Sequence, residues 1–131
     1  MLRRPFLLAV TVAAAPALAA EPDPANGAAL FRANCATCHG LEAKGDGPMT
    51  SILQIQPPDL TQLAPGGVPF PLAEIARRID GRDIIAHGGP MPVFGLILED
   101  QSGVIDGADG TPVFTSQAVV DITHWLASIQ E

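Results

Sequence analysis

Two cysteines and a histidine lie within five residues of one another. Cys35 and Cys38 are the only cysteines of the chain, and His39 directly follows the second one, in the sequence ANCATCHG. Thiolates and imidazoles bind metals, form disulfides and carry out redox reactions. Four kinds of site use these residue types: a thioredoxin-like redox pair, a zinc site, a structural disulfide and a covalent haem attachment site.

The surrounding sequence favours haem attachment over the other three. A thioredoxin-like pair belongs to a βαβ unit, and no strand pattern surrounds the cysteines. A zinc site takes four ligands, and no second Cys or Cys/His pair stands at the required spacing. A plain disulfide does not account for the adjacent histidine. C-x-x-C-H is the signature of c-type haem attachment, in which one irregular helical turn presents both sulfurs to the porphyrin and the histidine to the iron. The single motif predicts one covalent haem c per chain.

A haem iron bound by one histidine has a second axial position to fill. The remaining residues that could fill it are Met49, Met91, His87 and His124. Met91 stands in HGGPMPVFG, where glycines and prolines predict a stiff, non-helical loop. Met49 follows His39 by only ten residues, too short a loop to reach the opposite face easily, and His124 falls within a C-terminal helical pattern. We therefore expect Met91 to be the distal ligand, with His87 as the alternative.

Three helices are expected to position these residues. The first runs from about Pro24 to the cysteines, with the preceding aspartate as its N-cap. The second covers about 71–80 and ends at Gly81, and its expected apolar face consists of Leu72, Ile75, Ala76 and Ile79. The third begins near Ser116, and a shorter helical turn is expected at 59–64. Apolar residues recur at helical spacing in the third helix at Ala118, Ile122, Trp125 and Ile129.

The N-terminal segment MLRRPFLLAVTVAAAPALAA has the pattern of a signal peptide. Two arginines precede an uncharged apolar run, Phe6–Ala15, which is too short to span a bilayer. A small-x-small cleavage pattern follows and ends at Ala19. We expect residues 1–19 to be the signal peptide and residues 20–131 to form a single domain exported to the periplasm, without a stable membrane span. A retained N-terminal anchor is the alternative.

The composition of this domain indicates which kinds of partner it can bind. Loss of the two signal-peptide arginines leaves five basic and 14 acidic residues, a net charge of −9. No basic run remains, which argues against nucleic acid as a partner. An acidic surface would suit redox partners with a basic docking face, or would simply keep the protein soluble. Few aromatic residues, with 13 glycines and 13 prolines, predict short helices and long loops around something large and apolar.

Several segments together resemble a class I cytochrome c of the small exported bacterial kind. They are NGAALFRANCATCHG, GDGPMT, QPPDLT, MPVFG and DITHWLASI, and they are spread over nearly the whole mature chain. The resemblance implies an all-α cytochrome c fold. In that fold the N- and C-terminal helices cross, and three to five helices with long loops surround one covalently bound haem.

Two structural expectations follow from the resemblance. Gly27 and Phe31 of the first helix should cross Ile122 and Trp125 of the last. The connection at 96–115 is longer than the shortest family members need, and its DGTP sequence predicts a tight turn or a small hairpin.

The resemblance also implies roles for individual site residues. Cys35 and Cys38 would carry the haem, and His39 and Met91 would be its axial ligands. GDGPMT resembles the family segment whose proline carbonyl accepts a hydrogen bond from the proximal imidazole, which makes Pro48 that proline. An arginine in DGRD, Arg82, is a candidate partner for a haem propionate; a surface arginine at a helix end is the alternative.

His/Met ligation predicts a single-electron carrier rather than an enzyme. Iron with both axial positions filled stays six-coordinate in either oxidation state, and a soft thioether favours ferrous iron and raises the potential. The protein would serve as a free shuttle or as the haem subunit of an exported dehydrogenase. The alternative is a haem protein with an open iron site, which binds small gases or has weak peroxidase activity.

Overall fold

The computed structural model describes residues 20–83 and 91–131. The signal-peptide prediction for 1–19 and the rival ligand His87 lie outside the described residues. Within them the chain is mainly helical, as expected, and no helix is both long and apolar enough to cross a membrane. The elements are α1 (Pro24–Asn34), α2 (Ala36–His39), α3 (Leu72–Asp80), α4 (Phe94–Ile97), β1 (Ser102–Asp106), β2 (Pro112–Ser116) and α5 (Gln117–Ser128), with short 3-10 helices at Pro48–Ile52, Leu60–Gln62 and Pro65–Gly67.

Helix α1 begins where the sequence indicates. The Asp23 carboxylate accepts hydrogen bonds from the backbone N–H groups of Ala25 and Asn26, and Pro24 occupies the first helical position. These contacts satisfy donors that a helix start otherwise leaves without partners. The expected helical turn at 59–64 is present as the shorter 3-10 helix Leu60–Gln62, capped by the Asp59 carboxylate.

The predicted crossing of the first and last helices is present. At Gly27, a Cβ atom would lie 2.1 Å from the carbonyl oxygen of Asp121, so only glycine permits the two backbones to approach this closely. One turn further along α1, the rings of Phe31 and Trp125 lie 4.5 Å apart between centroids. Phe31 and Ile122 are each 1% exposed, which places this crossing in the core.

A buried carboxylate joins the same two helices by hydrogen bonds. Asp121, 2% exposed, accepts from the backbone N–H of Asp23 at 2.9 Å and from the side-chain amides of Asn26 at 2.7 Å and Gln117 at 2.9 Å. Because a buried polar group without partners is destabilising, these bonds favour one register of α1 on α5.

Helix α3 ends as predicted, at Gly81, which adopts a left-handed conformation with φ 68°. Of the apolar face expected for this helix, Ala76 and Ile79 are buried, while Leu72 and Ile75 are half-buried and pack at the edge of the core. Ala73 is also buried, so the inward face is broader than the sequence pattern indicated.

The long connection before α5 contains the predicted hairpin. Strands β1 and β2 pair antiparallel with Val104 opposite Phe114, and Gly110 takes a positive φ of 79° in the turn. One face of each strand is buried, including Ile105 and Val113, against the helices. This small sheet is an addition to an otherwise helical fold.

Gly27→Val should destabilise the folded protein by about 1–3 kcal/mol or more, because the new side chain collides with the α5 backbone rather than with a movable side chain. Guanidinium unfolding of the haem-loaded protein measures this. Ala29→Val, at an exposed position of the same helix, controls for the change in helix propensity. Equal midpoints for the two variants would show that the crossing is looser than described.

Candidate haem site

The Cys35–His39 segment is built as a continuation of α1. The Cys35 N–H donates to the carbonyl of Phe31 at 2.8 Å, and the His39 N–H donates to the carbonyl of Cys35 at 2.9 Å. The chain therefore turns helically through the motif, until Gly40 with φ 80° ends α2. Both cysteines are free thiols and line the same cleft, which is the arrangement that attachment of one group to two sulfurs requires.

The cleft has a volume of about 560 Å³ and walls that are mainly apolar. It is lined by Asn34, Cys35, Cys38, His39, Leu53, Ile55, Gln56, Pro57, Pro58, Leu60, Leu63, Pro71, Glu74, Ile75, Arg78, Ile79, Met91, Pro92, Phe94 and Leu126. Ile55 remains 60% exposed although it lies in this wall. A concave apolar surface of this kind is suited to a large hydrophobic ligand.

His39 and Met91 contribute to the same cleft from distant parts of the sequence. His39 belongs to α2, whereas Met91 precedes α4 and is half-buried against the core. Phe94, the first residue of α4, is 6% exposed and anchors the segment that carries Met91. The structure thus brings together the two residues that the sequence analysis selected as axial ligands.

The imidazole of His39 is prepared for metal binding. Burial lowers the pKa of His39, which favours the neutral form that ligates metals. Its Nδ1 atom is buried and has no hydrogen-bond partner among the described residues. Burial, together with the neighbouring Cys38, raises the pKa of the Cys35 thiol to about 12.

Pro48 lies next to the motif because the intervening loop packs directly on α2. The Gly45 N–H donates to the carbonyl of His39 at 2.8 Å, and the Gly47 N–H donates to that of Cys38 at 3.2 Å. A Cβ atom on Gly47 would lie 2.5 Å from the carbonyl oxygen of Thr37. The hydrogen bond between the Pro48 carbonyl and the His39 ring stays a prediction.

Arg78 lines the cleft, whereas the role expected for Arg82, as the partner of a haem propionate, stays a prediction. Arg82 forms a two-pronged ion pair with Asp80, with Nε–Oδ1 at 2.8 Å and Nη2–Oδ2 at 2.7 Å, and is not among the residues that line the cleft. Arg78, which lies in the last turn of α3, was not among the predicted site residues. Its spacing of three residues from Ile75, which also lines the cleft, was the available signal.

The other ligand candidates within the described residues lie away from the cleft lining. Met49 belongs to the 3-10 helix Pro48–Ile52 and is 36% exposed. His124 lies on α5, where burial lowers its pKa and the nearby Asp121 partly opposes that shift. Neither is positioned as a lining residue, whereas Met91 is.

A family model for cytochrome c matches residues 24–130. The chain belongs to the cytochrome c family. Comparison with curated proteins and with solved structures gave no match. Membership confirms the all-α cytochrome c fold and covalently attached haem c as the cofactor, and it supports haem-based electron transfer.

The residues of this cytochrome c chain fit that cofactor. The cleft is apolar, as the porphyrin requires, and the partly exposed Ile55 would gain a covering surface. The thiols of Cys35 and Cys38 would provide the two attachment points, and the imidazole of His39, whose neutral form burial favours, would provide an iron ligand. These are the residues that would hold haem c.

Haem should remain on the polypeptide when the holoprotein is denatured and extracted with acidified organic solvent, because Cys35 and Cys38 hold it through thioether bonds. A Cys35→Ala/Cys38→Ala variant, reconstituted with haem, should release all of its haem in the same extraction. Absorbance of the organic and aqueous phases measures the partition. Extraction of haem from the unaltered protein would contradict attachment at these cysteines.

Proposed function

We propose that this cytochrome c family member is a single-electron carrier of the periplasm, with His39 and Met91 as the axial ligands of its haem. One observation carries the proposal: both residues line the same apolar cleft as Cys35 and Cys38. Haem c, when bound, supplies an iron that alternates between ferrous and ferric states. Residues of the polypeptide supply the ligands and the apolar surroundings.

The polypeptide would hold His39 and Met91 in one arrangement in both oxidation states of the iron. His39 belongs to α2, and Met91 lies three residues before the buried Phe94 of α4. Two ligands on separate segments that pack against the core would move little when the charge of the iron changes. The mostly apolar wall excludes water and disfavours the additional positive charge of the ferric state, so it raises the reduction potential together with the thioether.

The N-terminal pattern supports a periplasmic location, and the acidic composition supports partners with a basic face. The arginine pair and apolar run within residues 1–19 indicate export, and c-type haem attachment takes place outside the cytoplasm. An acidic mature domain favours partners with a basic face, and association with them should weaken as salt increases. We propose two roles that fit: a free shuttle, or the haem subunit of an exported dehydrogenase.

Purification of the protein from its native periplasm at low salt separates these two roles. A free shuttle elutes alone from a sizing column, at the mass of one small domain. A dehydrogenase subunit elutes with a larger protein in a fixed ratio, and the pair reduces its haem when the partner's substrate is added.

Met91→Ala should abolish the weak far-red absorption band that a thioether on ferric haem produces. It should also open the iron to external ligands and lower the reduction potential, because the soft sulfur ligand is lost. Absorption spectra of the oxidised and reduced protein, with an imidazole titration, measure these changes.

His87→Ala and Met49→Ala are the matched controls and should leave the band, the imidazole affinity and the potential nearly unchanged. If His87→Ala instead creates the ligand-accessible form while Met91→Ala does not, the haem has two histidine ligands. An unaltered protein that lacks the far-red band and binds imidazole without competition would support the open-iron alternative, with gas binding or weak peroxidase activity.

A further inference from the structure

A buried charge lies between the hairpin and the segment that carries Met91. Asp80, the last residue of α3, is 7% exposed. Arg82 pairs with its carboxylate through two side-chain hydrogen bonds and donates a third from its backbone N–H at 3.2 Å. This carboxylate takes no part in the proposed binding of haem.

Two further segments meet the same carboxylate. From β2, the buried hydroxyl of Thr115 donates to Oδ2 at 2.5 Å. From α4, Gly95 packs so closely that a Cβ atom there would lie 2.5 Å from Oδ1 and 2.7 Å from Nε of Arg82. The Asp80 carboxylate is therefore the common contact of α3, β2 and α4. We refer to Asp80, Arg82 and Thr115 as the carboxylate clasp.

Hydrogen bonds hold the clasp together around a mostly buried carboxylate. Burial opposes ionisation of Asp80, but the hydrogen bonds from Arg82 and Thr115 outweigh that effect and lower its pKa overall. The carboxylate is thus charged at neutral pH, and losing one donor would leave a buried charge short of a partner. Displacing either the Arg82 or the Thr115 segment is therefore expected to destabilise the arrangement.

Helix α4 is short, so its position depends on what it packs against. It has four residues, Phe94–Ile97, and its first turn carries both the buried Phe94 and the clasp contact at Gly95. Met91 precedes this turn by only three residues, so a displacement of the turn is expected to shift Met91 as well. The long connection that contains β1 and β2 supplies Thr115 to the same point.

We propose that the carboxylate clasp positions Met91, by fixing α4 against the end of α3 and against the hairpin, and so sets how readily an external ligand displaces the thioether from the iron. The inference rests on the proposed function, in which Met91 is the distal ligand. It assigns the additional hairpin a role in ligand retention, and it makes Asp80, Arg82 and Thr115 positioning residues.

Imidazole binding to the ferric holoprotein tests the clasp, because the apparent affinity depends on the fraction of molecules in which Met91 has left the iron. Thr115→Val removes the hydroxyl and keeps the shape of the side chain. Gly95→Ala adds the atom that collides with the carboxylate. Each should tighten apparent imidazole binding roughly tenfold, with a weaker far-red band.

Two matched controls separate positioning from general stability. Thr115→Ser keeps the hydroxyl and should bind imidazole within about twofold of the unaltered protein. Thr123→Val removes another buried threonine hydroxyl, one that donates to the Val119 carbonyl at 2.7 Å within α5, and should lower the unfolding midpoint without changing imidazole affinity.

The outcomes distinguish a failure of the clasp proposal from a failure of Met91 as the proposed ligand. If Thr115→Val and Gly95→Ala change imidazole affinity no more than Thr123→Val does, while Met91→Ala still abolishes the band, the clasp is refuted and the ligand assignment stands. If Met91→Ala itself changes neither the band nor the affinity, the ligand assignment fails and the clasp proposal falls with it.

Discussion

The close backbone contact between Gly27 and Asp121 is the constraint on which the haem site depends. Helix α1 is joined to α2 through the single residue Cys35, so contacts that fix α1 also restrict the position of the thiols and the imidazole. Helix α5 provides that fixed surface, through the Gly27 contact and the hydrogen bonds to the Asp121 carboxylate. The position of the Cys35–His39 segment therefore depends directly on how α1 packs against α5.

The distal side is built differently, from short elements that depend on one another. Met91 precedes a single helical turn, and that turn is held by packing of Phe94 and by contacts around Asp80. A small domain with few aromatic residues has limited apolar area to bury. Part of this apolar area, including Ile55, lines the cleft. A haem bound there would therefore complete the core as well as supply the chemistry.

Local signals in the sequence predicted the proximal side well and the surroundings of the distal side less well. The cap at Asp23 and the stop at Gly81 are determined by neighbouring residues, and they were correct for that reason. The C-x-x-C-H spacing is equally local, and it correctly predicted haem c as the cofactor. The hairpin was foreseen from its turn residues. The contacts of Asp80 with Arg82 and Thr115 were not, because the bond from Thr115 joins segments 35 residues apart through side chains, which periodicity does not encode.

The helix crossing also determines the order in which the structure can form. The hydrogen bond from the Asp23 N–H to Asp121 closes a loop of 98 residues, nearly the whole domain. Loops of that length lose more chain entropy on closure and slow folding relative to local contacts. The Cys35–His39 turn can coil locally at an early stage, but its final orientation waits for the C-terminal helix. A chain interrupted before α5 would carry the attachment motif without the surface that aligns it.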